Sequence, residues 1–153
     1  MNVALYLNNI NIKDVDLTKP ESGNPGIGGT QYNFITLPYY FQKLKPDSPV
    51  EFTLFVQSTN QLPENIQTSQ ADNLLQAAEK ANEMGVDIFI WRPVISSMDY
   101  EFAGNLDTYH FKTLAWAHNT PHETRMLNIL AKKKNLSRFV CVAQEQMDRL
   151  RDH

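Results

Sequence analysis

Asp87-Ile88-Phe89-Ile90-Trp91 is the stretch on which the fold turns. Four apolar residues follow one another without the in–out alternation of a half-solvated strand, and Pro93 closes the run. A strand that reads this way is covered on both faces, the condition of a parallel sheet packed between helices. Outward from it, runs of the same kind recur. Val3-Ala4-Leu5-Tyr6-Leu7 and Phe52-Thr53-Leu54-Phe55-Val56 precede it; Thr113-Leu114-Ala115-Trp116-Ala117 and Phe139-Val140-Cys141-Val142 follow it. Helical patterns lie between. From Gly29 to Lys45, Phe34, Leu37, Phe41 and Leu44 form one apolar stripe, with Pro38 inside it as an expected kink. Ser69 reads as the N-cap of a second helix carrying Leu74, Ala78 and Ala81 and ending at Gly85. Thr120-Pro121-His122-Glu123 has the form of a capping box, and Lys132-Lys133-Lys134 stand at the far end of the helix it opens. Gln144 to Arg151 is a last helical segment, with Met147 and Leu150 on one side. Strand–helix alternation of this kind predicts an α/β open, mainly parallel sheet with helices on both faces, in a single domain over residues 1–153. Ligands bind beyond the carboxyl ends of such strands, which selects the loops to search for chemistry.

Composition narrows the classes. With 42% hydrophobic and 20% charged residues, and eight Phe, six Tyr and two Trp, the chain can build a core and is not globally disordered. A net charge of −3 and a pI near 5.8 argue against a surface made for nucleic acid. Late basic residues (Arg125, Lys132, Lys133, Lys134, Arg138, Arg149, Arg151) are interleaved with Glu123, Glu145, Asp148 and Asp152, the pattern of a solvated face able at most to touch anionic lipid headgroups weakly. A single cysteine, Cys141, forms no internal disulfide and reads as a buried small hydrophobe; a reducing compartment follows. No apolar run approaches the ~20 residues of a membrane span, and Met1-Asn2-Val3-Ala4-Leu5 lacks a basic n-region. The expected location is the cytoplasm.

Two motifs carry candidate chemistry. Asn24-Pro25-Gly26-Ile27-Gly28-Gly29-Thr30-Gln31 lies after the first strand and opens a helix. Glycines let a backbone approach a phosphate, and helix N-terminal amides favour an anion; the bland alternative is a flexible turn. No Gly-Lys-Ser/Thr follows, and Gln31 stands where a dinucleotide fingerprint needs its third glycine. Ala115-Trp116-Ala117-His118-Asn119-Thr120 puts His118 at the end of a strand on the same sheet edge. There it is placed to contact a ligand oxygen or move a proton, or merely to bond nearby backbone. His118 and His122 do not share a helix face, so no metal site is expected.

Together, Pro25-Gly26-Ile27-Gly28-Gly29-Thr30-Gln31-Tyr32 and Leu114-Ala115-Trp116-Ala117-His118-Asn119, with Arg138 to Gln146 and Leu150-Arg151-Asp152-His153, resemble retaining glycosyltransferases of the GT-B architecture, family four. The likeness runs over essentially the whole chain, as the N-terminal of two Rossmann-like domains that face a cleft. It implies transfer of a sugar from a nucleotide-diphosphate sugar to an acceptor hydroxyl with retained configuration, without a metal or other cofactor. Bacterial polysaccharide or glycolipid synthesis, at the inner membrane face, is the setting it suggests. By the same resemblance, Gly26, Gly28 and Gly29 lie near the donor diphosphate and His118 faces the reacting sugar as the catalytic residue. Thr30, Gln31, Tyr32 and Asn119 would shape the sugar and acceptor pocket. Glu is frequent in the family where Gln31 stands; the amide keeps the hydrogen bonding without the charge. The absent C-terminal domain would hold most of the donor, so this domain alone is expected to be inactive. The irregular segments Asn8–Asn24 and Ile95–Tyr109 are, by position, candidate acceptor-side loops. The competing readings are a standalone nucleotide- or phosphate-binding module and a non-catalytic interaction domain.

Overall fold

The computed structural model describes residues 1–118, 124–142 and 148. Its six strands are β1 (Asn2–Leu7), β2 (Glu51–Val56), β3 (Gln67–Gln70), β4 (Ile88–Trp91), β5 (Lys112–Ala117) and β6 (Leu136–Cys141). They form one sheet in the order β3-β2-β1-β4-β5-β6, and every pairing between them is parallel. This is a Rossmann-like α/β sheet. The helices are α1 (Gly29–Leu44), α2 (Leu74–Glu83), α3 (Ser97–Gly104) and α4 (Thr124–Leu130).

The near-continuous apolar runs are explained by two cores. Successive side chains of a strand point to opposite faces, so Val3, Leu5 and Leu7 of β1 pack with Phe34, Ile35 and Tyr39 of α1. Ala4 faces the other way, where Phe89, Trp91 and Ala115 meet α2, α3 and α4. α2 approaches through Ala77, Ala78 and Ala81, all fully buried. Phe89 lies stacked on Phe111 at 5.0 Å and tilted to Phe102 at 5.5 Å, in the preferred range for ring pairs.

Several sequence expectations need correction. Ser69 lies in β3, paired opposite Phe55, so its backbone serves an edge strand and not a helix cap. The cap of α2 is Asn73, whose Oδ1 accepts from Gln76 N at 3.0 Å, while Gln76 Oε1 accepts from Asp72 N at 2.7 Å. Gly85, with φ +69°, follows the helix end in the left-handed conformation that terminates it. α1 includes Pro38, and its buried residues are Phe34, Ile35, Thr36, Pro38 and Tyr39. Leu37 and Phe41 are only half-buried, and Leu44, at the end of the expected stripe, is 71% exposed. Ile95–Tyr109 is not irregular, since it holds α3 and a short 3₁₀ turn. Cys141 is half-buried, and burial pushes its thiol pKa up. The Thr120–Glu123 capping box and the Gln144–Arg151 segment fall largely or wholly outside the described residues. Among the described residues no helix is long and apolar enough to cross a membrane.

Candidate functional site

β1 and β4 are adjacent in the sheet but not in the chain: after β1 the chain moves outward to β2 and β3, then returns to the other side of β1. Loops on either side of such a switch diverge and leave a crevice at the strands' carboxyl ends. Here the crevice is a cleft of about 720 Å³, within the range of small-molecule sites. Tyr6, Phe34 and Trp91 give it aromatic surface, and Asn8, Asn11 and Gln31 stand along one wall. The segments on both sides of it are those the sequence left unplaced. The 8–24 segment brings Asn8, Ile10 and Asn11, and the 95–109 segment brings Ser96 to Asp99.

The first turn of α1 meets the cleft through Thr30 and Gln31. Gln31 Nε2 donates to Asn8 O at 3.1 Å and to Asn11 Oδ1 at 2.9 Å, which leaves Oε1 free of these bonds. An amide donor is needed because both partners are acceptors. Gln31→Glu should therefore cost about 1–2 kcal/mol at neutral pH. Relative to wild type at the same pH, the deficit should narrow below about pH 4, where a protonated carboxyl can donate again. Thermal melts of both proteins across that range provide the check; a deficit that does not change with pH contradicts it. Tyr32 acts from the far side, its hydroxyl donating to Pro20 O at 2.7 Å and pinning the 8–24 segment.

Gly26, Gly28 and Gly29 are exposed, just beyond the cleft lining. Asn24 Oδ1 accepts from Gly26 N at 3.0 Å and from Ile27 N at 2.9 Å, so these two amides are already spent inside the turn. Gly26 has φ +97°, which accounts for glycine there by backbone alone. Gly28 and Gly29 differ. Gly28 has φ −57°, and a Cβ at Gly29 would meet nothing within 4 Å, so neither backbone nor packing requires them. The helix N-terminus they open carries no side-chain cap.

On the opposite side, the β4–α3 loop is organised by Asp99, which is 6% exposed. Its Oδ1 accepts from Trp91 Nε1 at 2.9 Å and from Val94 N at 3.3 Å, and its Oδ2 accepts from Ser96 Oγ. Ser96 in turn caps α3 by accepting from Asp99 N at 3.2 Å, a reciprocal capping pair. The loop it holds presents Arg92 to the cleft, the one Lys or Arg among the lining residues. Asp99 also raises the Tyr6 hydroxyl pKa, second to burial.

His118 directly follows β5 and is half-buried. Its ring lies 4.8 Å from that of Trp116 and 6.2 Å from that of Phe34, so it borders the cleft through Phe34 and does not line it. Its Nε2 is buried with no hydrogen-bond partner among the described residues. Burial first, and then the Arg92 guanidinium, lower its pKa. Unfolding returns the imidazole to its ordinary value near 6.5, so the unfolded chain binds a proton that the folded chain refuses. The stability contributed by neutral His118 is thus complete above about pH 6.5 and is lost as pH falls through the lowered folded value. Urea midpoints of wild type and His118→Gln should run parallel above that pH, with the wild type falling more steeply below it. Parallel curves throughout would show that the imidazole is not held neutral by the fold. Asn119 lies outside the described residues.

Sequence reasoning missed Asp99 and Arg92. Ser96-Ser97-Met98-Asp99 does match the Ser-x-x-Asp helix-start pattern, which would have flagged α3 and its loop.

No family model matches the chain, and no curated protein matches it either. Solved structures do. The chain is similar to a lipopolysaccharide outer core galactosyltransferase, WaaB in its apo form, at 15% identity and a TM-score of 0.52, over 98% of this chain and 42% of that one. It is also similar to S. aureus homoserine dehydrogenase. The structure at pH 7.0 gives 10% identity and a TM-score of 0.54, over 92% of this chain and 32% of that one. The structure at pH 6.0 gives 12% and 0.56, over 94% and 32%. The chain thus spans less than half the length of each solved chain it matches. At these identities the likeness is one of fold: a Rossmann-like domain similar to part of a galactosyltransferase and to part of a dehydrogenase.

Proposed function

We propose that this chain is the N-terminal, acceptor-side domain of a retaining glycosyltransferase that moves a sugar from a nucleotide-diphosphate sugar to an acceptor hydroxyl. The observation that carries the reading is the connection from β1 to α1. A dinucleotide site needs a tight glycine turn directly from the first strand into its helix. Here β1 ends at Leu7 and α1 begins at Gly29, with Asn8-Asn9-Ile10-Asn11 in place of that turn. The cleft so formed offers carboxamides, each able to donate and accept, over aromatic faces, a lining suited to a polyhydroxyl ligand. On this reading Thr30 and Gln31 contact the acceptor, and Tyr32 shapes the pocket by fixing its wall. His118 and Asn119 border the reacting sugar, and Gly28 and Gly29, with Gly26 beside them, leave room for the donor diphosphate. Catalysis would come from positioning and from stabilising the departing diphosphate. A second domain would complete the donor site, with the whole acting in the cytoplasm or at the inner membrane face. The exposed Ile10 and Val94 at the cleft favour an acceptor with an apolar portion, such as a glycolipid.

The second reading, a self-sufficient nucleotide-binding module, is favoured by the likeness to homoserine dehydrogenase. Calorimetric titration with nucleotide-diphosphate sugars, free nucleotides and NAD separates the two. The transferase reading expects no tight binding by this chain alone, and sugar transfer once it is joined to a donor-binding domain. Micromolar nucleotide binding by the chain alone, abolished in Gly28→Val, would replace it with the module.

A further inference from the structure

We infer that the ligand of the β1/β4 cleft carries a phosphate monoester on a polyol, with the phosphate seated on Arg92. The inference rests on reading this cleft as an acceptor pocket, and it names the class of acceptor.

Arg92 is half-buried, lies in the cleft lining, and has no hydrogen bond or ion pair from its guanidinium among the described residues. Its charge acts on His118, where it disfavours the protonated imidazole. A guanidinium with no bonded partner has five donors unspent, in a fork that matches phosphate oxygens. Two carboxylates share the lining, Asp72 and Asp99. Asp99 is committed elsewhere, since both its oxygens accept from Trp91, Val94 and Ser96. Asp72 stands across the cleft beside the start of α2, its backbone oxygen accepting from Gln57 Nε2 at 2.9 Å. Among the described residues neither carboxylate is bonded to Arg92. The remaining polar groups are neutral. Among the described residues the Asn8 side chain makes no bond, and Asn11 uses its Oδ1 for Gln31, leaving its amide to donate. The Ser97 hydroxyl in the same lining adds another donor on the Arg92 side of the cleft. One unpartnered guanidinium among carboxamides and hydroxyls, with the Asp72 carboxylate as a further acceptor, suits a ligand that pairs a single anionic group with several hydroxyls.

The test is titration of the full chain with glucose 6-phosphate, glucose, glucuronate and inorganic phosphate, repeated on Arg92→Gln and Arg92→Lys. The expected result is that glucose 6-phosphate binds at least about 10-fold more tightly than glucose, the scale of one charge-assisted contact. Arg92→Gln should abolish that preference with its melting temperature unchanged, and Arg92→Lys should restore part of it. Equal binding of glucose 6-phosphate and glucose to the unmodified chain overturns the inference, whatever the variants do. So does a preference that survives Arg92→Gln, or tighter binding of glucuronate than of glucose 6-phosphate. Inorganic phosphate binding as tightly as the sugar phosphate would remove the polyol. None of these outcomes touches donor binding or sugar transfer, so the broader functional reading stands or falls separately.

Discussion

Asn9→Ala lowers the unfolding free energy by about 3 kcal/mol, seen as a fall in the urea midpoint with an unchanged m-value. Asn9 is a polar residue only 1% exposed, sitting between the end of β1 and the end of β2. Its Oδ1 accepts from Gln57 N and Ser58 N, both at 3.0 Å, and its Nδ2 donates to Ser58 O at 2.6 Å. A single carboxamide thus satisfies three backbone groups of the β2 exit. Alanine leaves all three without a partner where water reaches poorly, and the cost is the desolvation of each group rather than the modest net value of a bond. Asn9→Asp separates donor from acceptor: it keeps both amide bonds but turns an acceptor toward Ser58 O, and should fall between wild type and alanine below the aspartate pKa. An alanine variant within about 1 kcal/mol of wild type would show that water replaces the side chain.

A loss of similar size, about 3 kcal/mol, is expected for Asp99→Ala. The indole N–H of Trp91, in a residue 1% exposed, would be buried without an acceptor, and α3 would lose its reciprocal cap. The informative companion is Asp99→Asn. Its oxygen can still accept from Trp91 and Val94, and its amide can donate to Ser96 Oγ, so shape and cap survive without the charge. We expect a cost below about 1 kcal/mol for it. Hydrogen exchange at Val94 should accelerate in the alanine variant and stay near wild type in the asparagine one. Equal damage in both would assign Asp99 an electrostatic role, not a scaffolding one.

The strands that could be read from the sequence are those that left apolar runs: β1, β2, β4 and β5, which lie inside the sheet, and the edge strand β6 through Phe139-Val140-Cys141. β3 left none, because Gln67-Thr68-Ser69-Gln70 is a short sheet edge whose side chains meet solvent. In α1 the period was legible but not the phase. Leu44 falls on the expected stripe, yet Ile35 and Tyr39 are the residues that reach the sheet. Gly28, Gly29 and His118 were visible as candidates because their sequence positions put them at strand or helix ends. Arg92 and Asn9 were not, since each gains its setting from the adjacency of β1 with β2 and β4, which no local pattern encodes; Asp99 was legible only through the local Ser-x-x-Asp start of α3.

The central position of β1 also bears on how the chain is assembled. Its partners lie far along the chain, Asn2 opposite Glu51 on one side and Val3 opposite Ile88 on the other. During synthesis β1 emerges before either neighbour and therefore waits with both edges open, then with one, until β4 appears. At translation speeds of roughly 5–20 residues per second, that second interval lasts on the order of seconds. Parallel pairing across such separations is slow, and an open apolar edge invites pairing with another chain. A strand made before both of its neighbours is thus enclosed only when the second of them arrives, which leaves the nascent chain vulnerable to association through this edge before Ile88–Trp91 has left the ribosome.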